Sequence, residues 1–93
     1  MVKTKPFDAA EYVTSVEAQQ ELLNDAFESG NAAYIADALG VIARARGMTE
    51  VAREAGVTRE ALYKSLSEEG DPRLTTLLGV ARALGVRLSA RIG

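Results

Sequence analysis

A chain of 93 residues with 47% hydrophobic content can bury one modest core but not two. It has neither cysteine nor histidine, which excludes disulfides, a structural zinc site and the commonest catalytic thiolates and imidazoles. The formal net charge of −2 argues on its own against a nucleic-acid partner, but residues 1–40 carry two lysines and seven acids (net −5) while residues 41–93 carry nine bases and six acids (net +3). Phosphate contact needs only a local basic surface, so the rear half is a credible DNA face and the front half would attract a basic protein.

Lys3 and Lys5 have no apolar run behind them, so residues 1–6 read as a tail and not as a secretory signal. No stretch approaches the roughly 20 apolar residues that cross a bilayer, and the expectation is a cytoplasmic protein with no membrane partner. The chain reads as one domain: the tail, a helical extension over residues 7–30, a helical bundle over 31–85 and a strand over 86–92. Phe7, Ala10 and Tyr12 suggest a short helical turn whose aromatics anchor it to the body. Thr14 and Glu17 have the capping-box spacing and predict a helix from about Ser15 to Glu28. Ala18, Leu22, Leu23, Ala26 and Phe27 form its apolar stripe, and Ser29-Gly30 closes it.

Asn31 caps the next helix, which runs to about Arg46 with Ile35, Leu39 and Ile42 at helical spacing and Gly47 as a left-handed stop. Gly40 inside it costs about 1 kcal/mol relative to alanine; close approach of a neighbouring helix is the expected reason, with a functional hinge as the competing one. Thr49 begins a short helix to Ala55 that Gly56 ends, and Thr58 caps another from Arg59 to about Leu66. Glu68, Glu69 and Asp71 match no calcium-loop spacing. They read as a solvated loop in which Asp71 caps the last helix and Pro72 takes its first position.

That last helix carries Leu74, Leu77, Leu78, Ala81 and Leu84 on one side and stops at Gly85. Val86, Leu88, Ala90 and Ile92 then alternate with Arg87, Ser89 and Arg91, the period of a strand. A lone strand leaves its backbone groups unpaired, so the same segment of a second copy is the simplest partner. The expectation is a symmetric homodimer joined through Leu74, Leu77, Val86, Leu88, Ala90 and Ile92; the competing reading folds residues 86–92 back onto the chain's own helices as a loose tail.

The segment TEVAREAGVTREALYKSL brings two short helices together at a tight turn. Ala52 is small where the helices cross, Gly56 takes positive φ, and Val57 and Leu62 plug the angle between them. The second helix then presents Thr58, Arg59, Glu60, Tyr63 and Lys64 away from Leu62 and Leu66, at a size that enters a major groove. Arg59 and Lys64 read as DNA contacts, with Thr49 at the start of the supporting helix. Glu60 either stabilises a helix N-terminus or contacts a base, and Tyr63 either packs or contacts phosphate or base. Arg44 and Arg46 either complement the dipole of their helix or reach phosphate.

AREAGVTREALYKSL resembles the helix-turn-helix of the phage-repressor-like Xre/Cro regulators, although Ser65 stands where those proteins usually place an aliphatic residue and Leu66 takes over that contact. More widely, KPFDAAEY and the run from ADALGVIARARG to RLSARI resemble the HigA-like addiction-module antidote proteins. The resemblance implies an all-α, repressor-like bundle of about five helices with a short C-terminal β-strand. It also implies an antitoxin that represses its own operon at operator DNA and neutralises a small RelE/HigB-type toxin. On charge, the acids Glu17, Glu21 and Asp25 are the candidate surface for a basic toxin. No catalytic constellation, metal site or cofactor motif stands out, so an enzyme is not expected. The competing readings are a free-standing regulator and a helical protein-binding module that leaves DNA alone.

Overall fold

The computed structural model describes residues 8–93, so the tail read over residues 1–6 and the anchor Phe7 lie outside the described residues. A short 3₁₀ turn, Ala9–Glu11, precedes five α-helices: α1 Val16–Ser29, α2 Ala32–Arg46, α3 Met48–Ala55, α4 Arg59–Ser65 and α5 Leu74–Leu84. Of the residues expected to anchor the first turn, Ala10 is buried while Tyr12 is 69% exposed.

Local chemistry sets most helix ends. Ser15, and not Thr14, caps α1: its backbone is extended and its hydroxyl accepts from the amide of Ala18. The third helical position thereby falls on Ala18 instead of Glu17, and the reciprocal half of the expected capping box is lost. The Asn31 side chain caps α2 by accepting from the amide of Tyr34 at 3.1 Å. Gly47 joins α2 to α3 with φ 125° and ψ 110°. That conformation turns the chain but is not the left-handed helical stop expected, and Thr49 lies inside α3. The chain remains extended at Arg73, which caps α5 without a side-chain hydrogen bond. Asp71 and Pro72 therefore precede the helix and serve as neither its cap nor its first residue.

α2 is the central element, with a buried run Ala36, Ala38–Ala43. Leu39, Ile42, Val51, Leu62 and Val80 are its largest fully buried partners and members, each stabilising the fold by about 1.5–3 kcal/mol through removal of apolar surface from water. α5 packs mainly on α3, and α1 on α2. Gly40 marks a close crossing: a Cβ there would stand 2.2 Å from the carbonyl oxygen of Leu66. The expected reason for that glycine is thus the observed one.

The leucine stripe of α5 divides between two faces. Val80, Ala81 and Leu84 are buried and Leu77 packs partly against the core, whereas Leu74 is 67% and Leu78 44% exposed. The expected β-strand over 86–92 is absent, and no strand occurs among the described residues. The backbone bond from the Val86 amide to the Ala81 carbonyl closes α5, and the following segment has no regular structure. The physical reason is that alternation supplies two faces but no hydrogen-bonded neighbour, and the described residues offer no second strand.

Candidate nucleic-acid interface

α3 and α4 meet at the turn Gly56–Val57–Thr58. Gly56 is left-handed at φ 75°, a conformation that residues with a Cβ rarely adopt, and the Val57 amide bonds back to the carbonyl of Ala52 at 3.0 Å. Ala52 is buried beneath this crossing and Val57 packs against the core. Thr58 then starts α4, its hydroxyl accepting from the Ala61 amide at 3.1 Å. Leu62 and Leu66 are 0% and 2% exposed. They lock the orientation of a helix too short to stand alone, while Ser65 between them is half-buried.

With those two leucines inward, Arg59, Glu60, Tyr63 and Lys64 all face solvent. The Arg59 guanidinium lies over the Tyr63 ring, 5.5 Å from its centroid, a favourable cation–π arrangement. Its Nη2 stands 3.5 Å from the Tyr63 hydroxyl, at the outer limit of a hydrogen bond. That contact with Tyr63 raises the pKa of a group already cationic at neutral pH. On α3, Thr49 is exposed and Arg53, not singled out by the sequence reading, pairs with Glu50. No motif signals that pair; only the spacing of three residues on a helix does.

The two α2 arginines are engaged within the chain. Arg44 donates to the Asp8 carboxylate from Nη2 at 3.1 Å and from Nε at 3.3 Å. Arg46 donates to the carbonyl of Leu84, 3.3 Å away, tying α2 to the end of α5. Asp8 accepts from the Ala10 amide as well, and that bond is the largest effect on its carboxyl; lost hydration opposes it, Arg44 adds to it, and the net result lies below the usual range. A depressed carboxylate pKa means stability that is present above the unfolded value of about 3.9 and lost as pH falls through the folded value. Asp8→Asn is therefore expected to unfold earlier than the wild type at neutral pH, and the difference should close in acid. Paired thermal melts from pH 7 to pH 2 check this; a gap that persists at the acid end contradicts it.

Glu17 and Glu21 are exposed on α1. Asp25 accepts from the Tyr34 hydroxyl at 2.6 Å, a bond that raises the tyrosine pKa and holds α1 to α2. Of the residues expected at a dimer joint, Leu74, Leu88, Ala90 and Ile92 are exposed, while Leu77 and Val86 are partly used by the chain's own core.

Among the described residues no helix is long and apolar enough to cross a membrane. No solved structure matches the chain. A Haemophilus influenzae protein described only as uncharacterized is 45% identical over 87 residues, covering 94% of this chain and 90% of that protein. Residues 3–92 match the family described as "Probable addiction module antidote protein". That match takes in nearly every residue discussed above, and the chain belongs to this family of antidote proteins.

Proposed function

We propose that this protein is a cytoplasmic, non-enzymatic antitoxin that binds the operator of its own operon through a phage-repressor-like helix-turn-helix formed by α3 and α4, and that neutralises a small basic toxin of the RelE/HigB type. The observation that carries the DNA reading is the division of α4: Leu62 and Leu66 are buried, and Arg59, Glu60, Tyr63 and Lys64 emerge together on the other side. Such a helix presents two cations and a hydrogen-bonding ring to a groove, with Thr58 at its N-terminal end and Thr49 on the supporting helix. Arg59 and Lys64 carry the greatest weight, because Arg44 and Arg46 already have acceptors inside the molecule. Glu17, Glu21 and Asp25 are assigned to the toxin face on their charge, apart from α4 in sequence and structure.

The test is an electrophoretic shift of the promoter DNA of its own operon by the purified protein at low and raised salt. A shift that weakens steeply with salt supports phosphate contact. Absence of any shift at low salt leaves the alternative, a protein-binding module, which the purely acidic sequence from Asp8 to Gly40 favours.

One α4 reads too few bases for useful specificity, and repressors of this type bind two half-sites about one helical turn apart. The proposal therefore includes a homodimer. Its joint is the outer face of α5 with residues 86–92, where Leu74, Leu78, Leu88 and Ile92 remain 67%, 44%, 39% and 103% exposed. Pairing of the two C-terminal segments would supply each with the hydrogen-bonded neighbour it lacks. Truncation after Gly85 is expected to give a monomer that retains its helical circular dichroism. A dimer surviving the truncation in sedimentation, or a monomeric full-length protein at micromolar concentration, removes the proposed joint.

A further inference from the structure

A groove of about 630 Å³ runs between the outer side of α1 and the stretch Gly85–Ser89, with Ile42 and Leu84 also lining it. On the α1 side, in front of the less exposed Gln19 and Leu23, its rim is Val16, Gln20, Asn24 and Phe27. These four recur at intervals of four, four and three residues, so they form one line along the helix, about 16 Å from end to end at 1.5 Å per residue. The two ends are apolar and open, Val16 at 78% and Phe27 at 37% exposure, and between them Gln20 donates to Asn24 at 3.0 Å.

Each residue of that line is followed immediately by an acid: Glu17 after Val16, Glu21 after Gln20, Asp25 after Asn24 and Glu28 after Phe27. One residue is a rotation of about 100° around a helix, so the acids form a second line parallel to the first and on its solvent side. Asp25 is held by Tyr34; Glu17, Glu21 and Glu28 are exposed. No lysine or arginine occurs from Asp8 to Gly40 to offset them. The cations at the groove, Arg46 and Arg87, come from α2 and the C-terminal stretch, across from the acidic rim.

We infer that this groove is the toxin-docking surface, and that its occupant is an amphipathic segment of the toxin that sets apolar side chains against Val16, Leu23 and Phe27 while its flanking lysines or arginines meet Glu17, Glu21 and Glu28. The inference rests on the antitoxin reading and deepens it. Acids alone would steer a basic toxin to this end of the molecule without fixing its orientation. The apolar line beside them supplies what charge cannot, a surface whose burial holds the partner in one register. Three turns of groove between two apolar ends match the way a helix is gripped by its own stripe of residues.

The test uses the toxin encoded in the same addiction module, produced as a pure protein, and calorimetric titration at two salt concentrations. Val16→Lys is expected to weaken binding at least about tenfold at both salts, by placing a cation where an apolar side chain docks. The triple reversal Glu17→Lys, Glu21→Lys, Glu28→Lys is expected to weaken it strongly at low salt and less at high salt. All four positions are exposed, and circular dichroism verifies that each variant remains folded. Amide shifts on binding should cluster at Val16, Gln20 and Phe27, on the α1 wall and away from the proposed dimer joint. If the toxin binds the wild type and both variants equally, or its shifts fall elsewhere, the groove assignment is overturned and the antitoxin reading stands. If the toxin does not bind the wild type, both fall. If those same amides shift with concentration in the isolated protein, a second copy occupies the groove and the inference is overturned.

Discussion

Arg59→Ala and Lys64→Ala are each expected to weaken operator binding by about 1–3 kcal/mol, roughly 5- to 150-fold. Both side chains are exposed on the side of α4 opposite Leu62 and Leu66, so truncation removes an exposed cation without opening the core. The two variants should differ in kind. Arg59 is pre-positioned by the Tyr63 ring at 5.5 Å, and a held guanidinium can read a guanine edge with two donors. Its loss should relax discrimination between operator and unrelated DNA. Lys64 has no such support among the described residues, and a flexible ammonium acts chiefly on phosphate. Its loss should weaken all sequences alike and lower the salt slope by about one. Tyr63→Ala should resemble a weaker Arg59→Ala, because it frees the guanidinium without deleting it. Arg53, already paired with Glu50, serves as the control whose replacement changes little. Fluorescence anisotropy at several salt concentrations separates these effects, and unchanged affinity in both main variants would move the interface off α4.

Gly40→Ala is expected to destabilise the protein, against the ordinary rule for helix interiors. In an open helix the exchange gains about 1 kcal/mol from backbone entropy. Here the added methyl would stand 2.2 Å from the Leu66 carbonyl oxygen and 3.3 Å from its carbon. The obstacle is backbone, which cannot rotate away as a side chain tip does. α4 would have to lift from α2, and overpacking of this sort costs about 1–3 kcal/mol, more than the propensity gain when backbone must move. A midpoint lowered by several degrees follows for a domain of this size. Because Leu66 is the last anchor of α4, operator affinity should fall with stability in this variant, whereas Arg59→Ala should leave the melt unchanged. A Gly40→Ala protein as stable as the wild type would mean that α2 and α4 do not cross as closely as described.

The sequence by itself determined the elements whose cause is local. Asn31 and Thr58 carry cap oxygens at the right offset, Gly30, Gly56 and Gly85 accept the left-handed conformation at helix ends, and the inward placement of Leu62 and Leu66 follows from helical period. It also located the exposed set on α4, Arg59, Glu60, Tyr63 and Lys64, since burying two leucines of a short helix leaves the other side in solvent. The cap of α1 was legible only to within one residue, because Thr14 and Ser15 offer equivalent hydroxyls and the backbone conformation chooses between them.

Other features were decided by tertiary structure, because they depend on which distant atoms are near. Leu74 and Leu78 share a stripe with Leu77 and Leu84, yet α3 covers only part of that stripe and leaves the first two in solvent. Arg44 and Arg46 read equally well as phosphate ligands until Asp8 and the Leu84 carbonyl are found beside them, partners 36 and 38 positions away that no local pattern connects. The alternation of residues 86–92 was real as a pattern and insufficient as a strand. A period of two is a property of one segment, whereas a strand is a property of a pair, and among the described residues the second member of the pair does not occur.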